Sequence, residues 1–350
     1  MSAGIVQRYG DRPVLEPREG EWDAVSTFNP GAILVDGTVH MIYRAVSDLR
    51  PYVSRFGLAI SEDGRHFERA DEQPIYEPQL DYEVGGVEDA RITRDGDQYL
   101  ITYAAVTKKP GTVYEEMDFF ARAREDPYID RPGIPPLGAS YTGLLRSKDL
   151  RSFAAEGLLT PEGLDDRDGV LFPEKINRRY VMLHRPSAWM GPGYGTDKPS
   201  MWLAFSDDLK DWDYGAGDRY LLMGPQDGAS WEEQEIGGGP PPIKTRAGWL
   251  VIYHGVDGGH VYRMGAALLD LHDPMKVLAR TGEPLLEPEL EWEKVGIIPN
   301  VVFPTAAVWE EGRELLLYYG AADRVVGLAT ADMERLLDHL LSQGTAATAG

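Results

Sequence analysis

The 350-residue chain has no cysteine, which excludes disulfides, thiolate nucleophiles and cysteine-based zinc sites. Basic residues are scarce: 35 Lys and Arg stand against 57 Asp and Glu, a formal charge of −22. A nucleic-acid backbone needs a basic face, so no nucleic-acid partner is expected. An anionic substrate has to be met by a local cationic pocket working against the overall field. No apolar run approaches the ~20 residues of a membrane span. The start, "MSAGIVQRYGDRPVLEP", lacks a basic stretch followed by an apolar one, so no signal peptide is read there. A soluble, cytoplasmic protein without membrane contact is the expectation. H-E-x-x-H is missing, "LDDRDGV" lacks the first carboxylate of a calcium loop, and "GPGYGT" ends on Thr196 where G-x-G-x-x-G needs glycine. No metal or organic cofactor is expected.

Helical periodicity is also scarce before the C-terminus. What recurs is a short strand, a turn, and a strand ending on an aromatic or His: "AILVDGTVHMIYRAV", "ARITRDGDQYLITYAAV", "EKINRRYVMLHRP", "PIKTRAGWLVIYHGV" and "AAVWEEGRELLLYYGA". Gly at the turn supplies positive φ, and the flanks are rich in β-branched and aromatic residues. A third apolar strand follows each hairpin. Three of these end in Ser-x-Asp turns, "SEDGRHF", "SKDLRSF" and "SDDLKDW", whose side chains are expected to cap their own turns. Five such units at blade-length spacing predict an all-β chain, a five-bladed β-propeller, with blades starting near residues 28, 85, 168, 235 and 297. The expectation is a single domain over 1–350. Residues 107–139 form an insertion in blade two, too long for an ordinary hairpin loop and suited to a lid or an oligomer contact. Met333, Leu336, Leu337, Leu340 and Leu341 predict an amphipathic helix over 331–343 that packs on the propeller.

"GGVEDARI" places Glu88, Asp89 and Arg91 at the mouth of an apolar strand. Counting from the hairpin turns brings "FNPGA", "VEDAR", "LFPEK", "GGPPPI" and "NVVFP" to equivalent positions, and Arg44, Ala104, His184, His254 and Tyr319 to a second ring. Asn29, Arg44, Asp89, Arg91, Lys175, His184, Arg185, His254 and Asn300 are polar residues out of place inside a propeller, and charge converging from separate blades marks a pocket. The plainer readings are that Asp89 pairs with Arg91 on one strand face, that the histidines are structural, and that Tyr52, Tyr114, Trp189 and Tyr194 pack the blades rather than stack on a ligand.

The motifs "FNPGA", "GVEDAR", "DGVLFPEKI", "YVMLHRP", "GGGPPPI", "YHGVD", "PNVVFP" and "YYGAAD", in order, resemble glycoside hydrolase family 130, five-bladed β-mannoside phosphorylases and hydrolases. The resemblance implies that Asp89 is the general acid, with Ala90 standing where the family has Pro. It also implies that Asn29, His184, Arg185, Asn300 and Asp323 line the mannose subsites, and it makes Glu88 a sugar-binding or supporting group. Phosphorylase members carry an Arg early in the third strand of blade two, where Tyr141 falls here, and a Lys before "IGGGPPP", where Glu235 falls. Losing two cations and gaining a carboxylate favours an inverting exo-acting β-mannoside hydrolase with Glu235 as general base; Glu232 and Glu233 compete for that role. Such a base acts from roughly 6.5–9.5 Å through a water. The alternative is a phosphorylase using inorganic phosphate as co-substrate, held by cations such as Arg44, Lys175, Arg185 and Arg263. A non-catalytic sugar-binding propeller is the third reading. Ile297 replaces a family Asp at the sugar's far edge. A small oligosaccharide is the expected substrate, and the resemblance admits a homo-oligomer.

Overall fold

The computed structural model describes residues 4–49, 52–107, 140–161, 163–215 and 220–343. The 107–139 insertion, apart from Thr107, lies outside the described residues, as does Tyr114. The described chain folds as five antiparallel blades. The first consists of Ser26–Val35, Thr38–Leu49, Tyr52–Ser61 and Glu68–Arg69; the second of Gly86–Asp95, Gln98–Val106, Ser140–Ser147 and Phe153–Leu158. Blade three is Asp166–Leu171, Tyr180–Pro186, Met201–Ser206 and Trp212–Asp213. Blade four is Glu235–Gly238 with Ile243–Lys244, Trp249–Val256, Tyr262–Leu269 and Val277–Arg280. Blade five is Val302–Val308, Leu315–Ala321 and Val325–Ala331, and its outer strand is Val6–Arg8 from the other end of the chain. That last pairing closes the ring.

Five apolar clusters fill the five seams between neighbouring blades. Ile42 and Leu58 meet Ile92 and Ile101 in one, and Met41 and Tyr43 meet Leu316 and Tyr318 in the seam that joins first blade to last. The seams between blades two and three, three and four, and four and five are built the same way. The helix Met333–Gln343 buries Met333, Leu336, Leu337 and Leu340 on the last of these. Leu341, expected on that face, is instead 51% exposed. Asp332 caps the helix through Arg335 N at 2.9 Å. The Ser-x-Asp turns cap themselves as expected: Ser61, Ser147 and Ser206 each donate to the Asp two residues on. Among the described residues no helix is long and apolar enough to cross a membrane.

A second internal repeat locks four of the blades. Tyr43, Tyr103, Tyr253 and Tyr319 on the second strands pair with Gly57, Gly143, Gly265 and Gly327 on the third. A Cβ at any of these glycines would lie within 2.3–2.7 Å of the tyrosine ring, so only glycine admits the ring across the pleat. Each tyrosine hydroxyl donates to a buried carboxylate just ahead of the innermost strand: Asp23 (3.4 Å), Glu83, Glu232 (2.9 Å) and Glu293 (2.8 Å). The acids follow Trp22, Tyr82, Trp231 and Trp292 directly. Arginines complete three of them: Arg69 on Asp23, Arg280 on Glu232 and Arg8 on Glu293. Blade three departs from the pattern, with Leu183 opposite Leu203.

Candidate active site

The innermost strands break register at one end of the ring. Bulges fall between Phe28 and Gly31, Glu88 and Arg91, and Arg167 and Val170. In blade four the same strand is interrupted by Gly239 and three prolines, which have no N–H for the ladder. Bulge residues Asn29, Asp89 and Asp168 take left-handed φ values of 42°, 54° and 54°. Asn and Asp tolerate that region better than other side chains. An extra residue re-aims its side chain, so three successive blades turn a short polar group out of the ladder.

Around the first two of these lies a carboxylate cluster on one arginine. Asn29 Nδ2 donates to Asp89 Oδ1 at 2.9 Å. Arg44 donates to Asp89 Oδ1 at 3.2 Å and to Glu88 Oε1 at 2.5 Å, with Ser54 Oγ on the same Glu88 oxygen at 3.2 Å. Its guanidinium also covers the Phe28 ring at 4.4 Å. Asp323, at a left-handed φ of 53°, faces the same group. Burial pushes its carboxyl up to about 7, against the pull of Arg44 and with Asp89 and Glu88 adding repulsion. Glu88 is raised for the same first reason, burial, opposed by Arg44. Three carboxyls on one cation cannot all ionise freely, so this cluster holds a proton near neutrality.

The other half of the site gathers arginines with their carboxylate partners. Arg185 Nε donates to Asp168 Oδ2 at 2.7 Å and Nη1 to Glu235 Oε2 at 3.4 Å. Asp168 is held below the usual carboxylate range: burial opposes ionisation, and Arg185 and Arg91 outweigh it. Arg167 lies opposite Arg185 on the paired strand, and its pKa is raised, chiefly by Asp165 at 3.8 Å, against burial and the Arg185 charge. Arg91 joins the halves, donating to Asp89 O at 2.6 Å and across the channel to Gly239 O at 2.7 Å. The His254 ring lies parallel to Tyr262 and edge-on to Phe303, and burial lowers its pKa, keeping it neutral. Burial, with Glu235 beside it, raises Tyr262 well above the ordinary phenol value, so its hydroxyl stays protonated.

The structure thus brings together Asn29, Arg44, Glu88, Asp89, Arg91, Arg185, Glu235, His254 and Asp323. Asn300 enters through its backbone: at φ 60° its carbonyl accepts from Tyr262 N at 3.0 Å. His184 is buried behind the site. Its Nδ1 lies 2.7 Å from Asp166, whose other oxygen accepts from Arg185 N, so it braces Arg185. Trp189 packs against His184 and is itself buried, and Tyr52 is buried against Arg44; both are packing groups. Lys175 does not join the site. It lies exposed in the turn at the far end of the blade-three hairpin, its Nζ on Asp207 O at 3.3 Å and over the Tyr180 ring. Arg263 is spent on Asp257 and Glu287. The second-ring position of blade five is Gly320, not Tyr319, which packs into its blade. The residues missed are Arg167, Asp168 and Tyr262. The equivalent of "FNPG" and "VEDA" in blade three is "DRDG", with Asp168 on the bulge, and not "LFPEK".

The sequence profile of glycoside hydrolase family 130, described as beta-1,4-mannooligosaccharide phosphorylase, matches residues 12–342. A 1,2-beta-oligomannan phosphorylase from Thermoanaerobacter sp. (strain X514) is 40% identical over 336 residues, 94% of this chain and 98% of the relative. A beta-1,2-mannobiose phosphorylase from the same organism is 36% identical over 341 residues, 94% and 98% of the two chains. The solved structure of a beta-1,2-mannobiose phosphorylase from Listeria innocua, in complex with beta-1,2-mannobiose, superposes with a TM-score of 0.77 at 29% identity, covering 96% of this chain and 99% of that one. A match over nearly the whole chain, on the five-bladed fold, means that this enzyme, a glycosidase or glycoside phosphorylase, belongs to glycoside hydrolase family 130.

Proposed function

We propose that the protein is a β-mannoside phosphorylase that cleaves β-1,2-linked manno-oligosaccharides with inorganic phosphate. The observation that carries this reading is the placing of Arg185 and Arg167 directly opposite each other on paired strands, with Arg167 also near Glu88. Two guanidiniums set side by side can both donate to one multiply charged anion. The relatives named above, phosphorylases of β-1,2-linked mannosides, support the same choice. The sequence favoured hydrolysis with Glu235 as base on the strength of cations missing at positions 141 and 235. Arg167 and Arg185, opposite each other on paired strands, support the phosphate reading by offering two cations in their place, and Glu235 lies against Arg185.

In this reaction a phosphate oxygen attacks the anomeric carbon from the face opposite the glycosidic bond. The C1–O bond forms as the bond to the leaving oxygen breaks, and Asp89 places its proton on that oxygen. The products are mannose 1-phosphate, inverted to the α form, and an oligosaccharide one unit shorter. Asn29 and Arg44 orient Asp89. Asp168, kept ionised by its cations, is too weak a base to activate water and serves to fix Arg185. Cleavage of β-1,2-mannobiose should require phosphate and yield mannose 1-phosphate, and Asp89→Asn should lower kcat by about 10²–10⁴-fold. Equal rates with and without phosphate would refute the proposal.

A further inference from the structure

Glu235 poses a problem that phosphorolysis does not by itself resolve: it puts a carboxylate at the edge of an anion site. We infer that Glu235 is a specificity-determining residue that makes the site accept a protonated oxyanion, phosphate or arsenate, and reject sulfate. The inference rests on the phosphorolysis proposed above. Arg185 is gripped firmly by Asp168 at 2.7 Å, whereas its contact with Glu235 is 3.4 Å. Charge-assisted N–H···O bonds run about 2.7–2.9 Å, so the Glu235 carboxylate is only loosely engaged. Its Oε1 accepts no hydrogen bond from the described residues. Gly237, two residues on and so on the same strand face, lies flush with the pair: a Cβ there would sit 2.3 Å from Asp168 Oδ2 and 2.7 Å from Arg185 Nε. Glu235 therefore stands beside the Nη1 edge of Arg185, where an anion seated on that edge meets it.

An ionised carboxylate only accepts hydrogen bonds. An oxyanion seated on Arg185 beside it is tolerated if it can donate an O–H to Glu235, and repelled if it cannot. At neutral pH both forms of phosphate keep at least one O–H, and so does arsenate, while sulfate keeps none. The same carboxylate that opposes a bare dianion thus gives phosphate a hydrogen bond that sulfate cannot make. No proton is transferred outright; it is shared between the bound anion and Glu235.

The test is initial-rate kinetics on β-1,2-mannobiose with phosphate varied against sulfate, then with arsenate replacing phosphate. A hydrogen bond to a charged group corresponds to a discrimination on the order of 100-fold. The wild-type Ki for sulfate should therefore exceed the phosphate KM by about that factor, and arsenate should support cleavage. Glu235→Gln, whose amide donates, should bring the two constants to within about tenfold, and Glu235→Asp should keep the preference. Sulfate competing in the wild type at concentrations near the phosphate KM overturns the assignment without any variant, as does an unchanged ratio in folded Glu235→Gln. Cleavage indifferent to phosphate is a different result, which removes the phosphorylase reading and this inference with it.

Discussion

Asp323→Asn offers a direct test of the carboxylate cluster on Arg44. Burial, with Asp89 and Glu88 nearby, raises Asp323 from 3.8 to about 7 in the folded protein. Between those values the folded state keeps a proton that the unfolded chain has lost. Stability is therefore present at low pH and is lost as pH rises through the window. The whole penalty is in force above pH 7. A shift from 3.8 to about 7 corresponds to about 4 kcal/mol as an upper bound. Asp323 is only partly buried, so solvent screening reduces this to about 2 kcal/mol. The asparagine carries no charge and escapes the penalty. At the unfolding entropy of about 2.1 cal/mol/K per residue, 350 residues convert about 2 kcal/mol into about 3 °C. Thermal unfolding of both proteins without ligand should show Asp323→Asn about 3 °C more stable at pH 8 and little different at pH 4, close to the unfolded value. A Tm difference that is the same at both pH values would refute the reasoning, because it would mean that Asp323 carries no shifted proton.

Two further outcomes test ring closure and the boundary of the site. Arg8→Ala strips the cation from Glu293, whose side chain is 0% exposed. Two backbone N–H groups and the Tyr319 hydroxyl remain on that carboxylate, so the cost should fall at the low end of the range for a broken buried pair, about 3 kcal/mol. Thermal melting should drop by about 4 °C, and adding Glu293→Gln should recover part of the loss; a further loss in the double variant would contradict the pairing. Lys175→Ala should leave kcat/KM for oligosaccharide and for phosphate within about twofold, since an exposed side chain outside such features changes little. A large rise in the phosphate KM would return Lys175 to the anion site.

The blade count was legible because it rests on local chemistry: Asp-Gly and Ala-Gly turns, period-two strands and self-capping Ser-x-Asp turns all act within a few residues. The aromatic–acid pairs at Trp22–Asp23, Tyr82–Glu83, Trp231–Glu232 and Trp292–Glu293 were equally present in the sequence. They carry no signal until the distant tyrosine and glycine that complete them are known. Lys175 and Tyr319 were misplaced because counting from a hairpin turn requires the turn's length, which the sequence leaves open. In blade three the turn closes at Ile176 and Arg179, directly after "LFPEK", and in blade five the position level with His254 is one residue further on, at Gly320.

Sequence alone determined the all-β class, the five units and the acidic surface that requires a local cationic pocket, and its motif singled out Asp89 as the proposed acid. Tertiary structure decided which charges face each other. Glu235 looks like a free base in "WEEQEIGGG" and becomes a partner of Arg185 only when blades three and four meet. Arg167 and Arg185, eighteen residues apart on paired strands, become neighbours because an antiparallel hairpin folds them back to the same end. Electrostatic roles are set by distance and burial, and those exist only after the ring has closed.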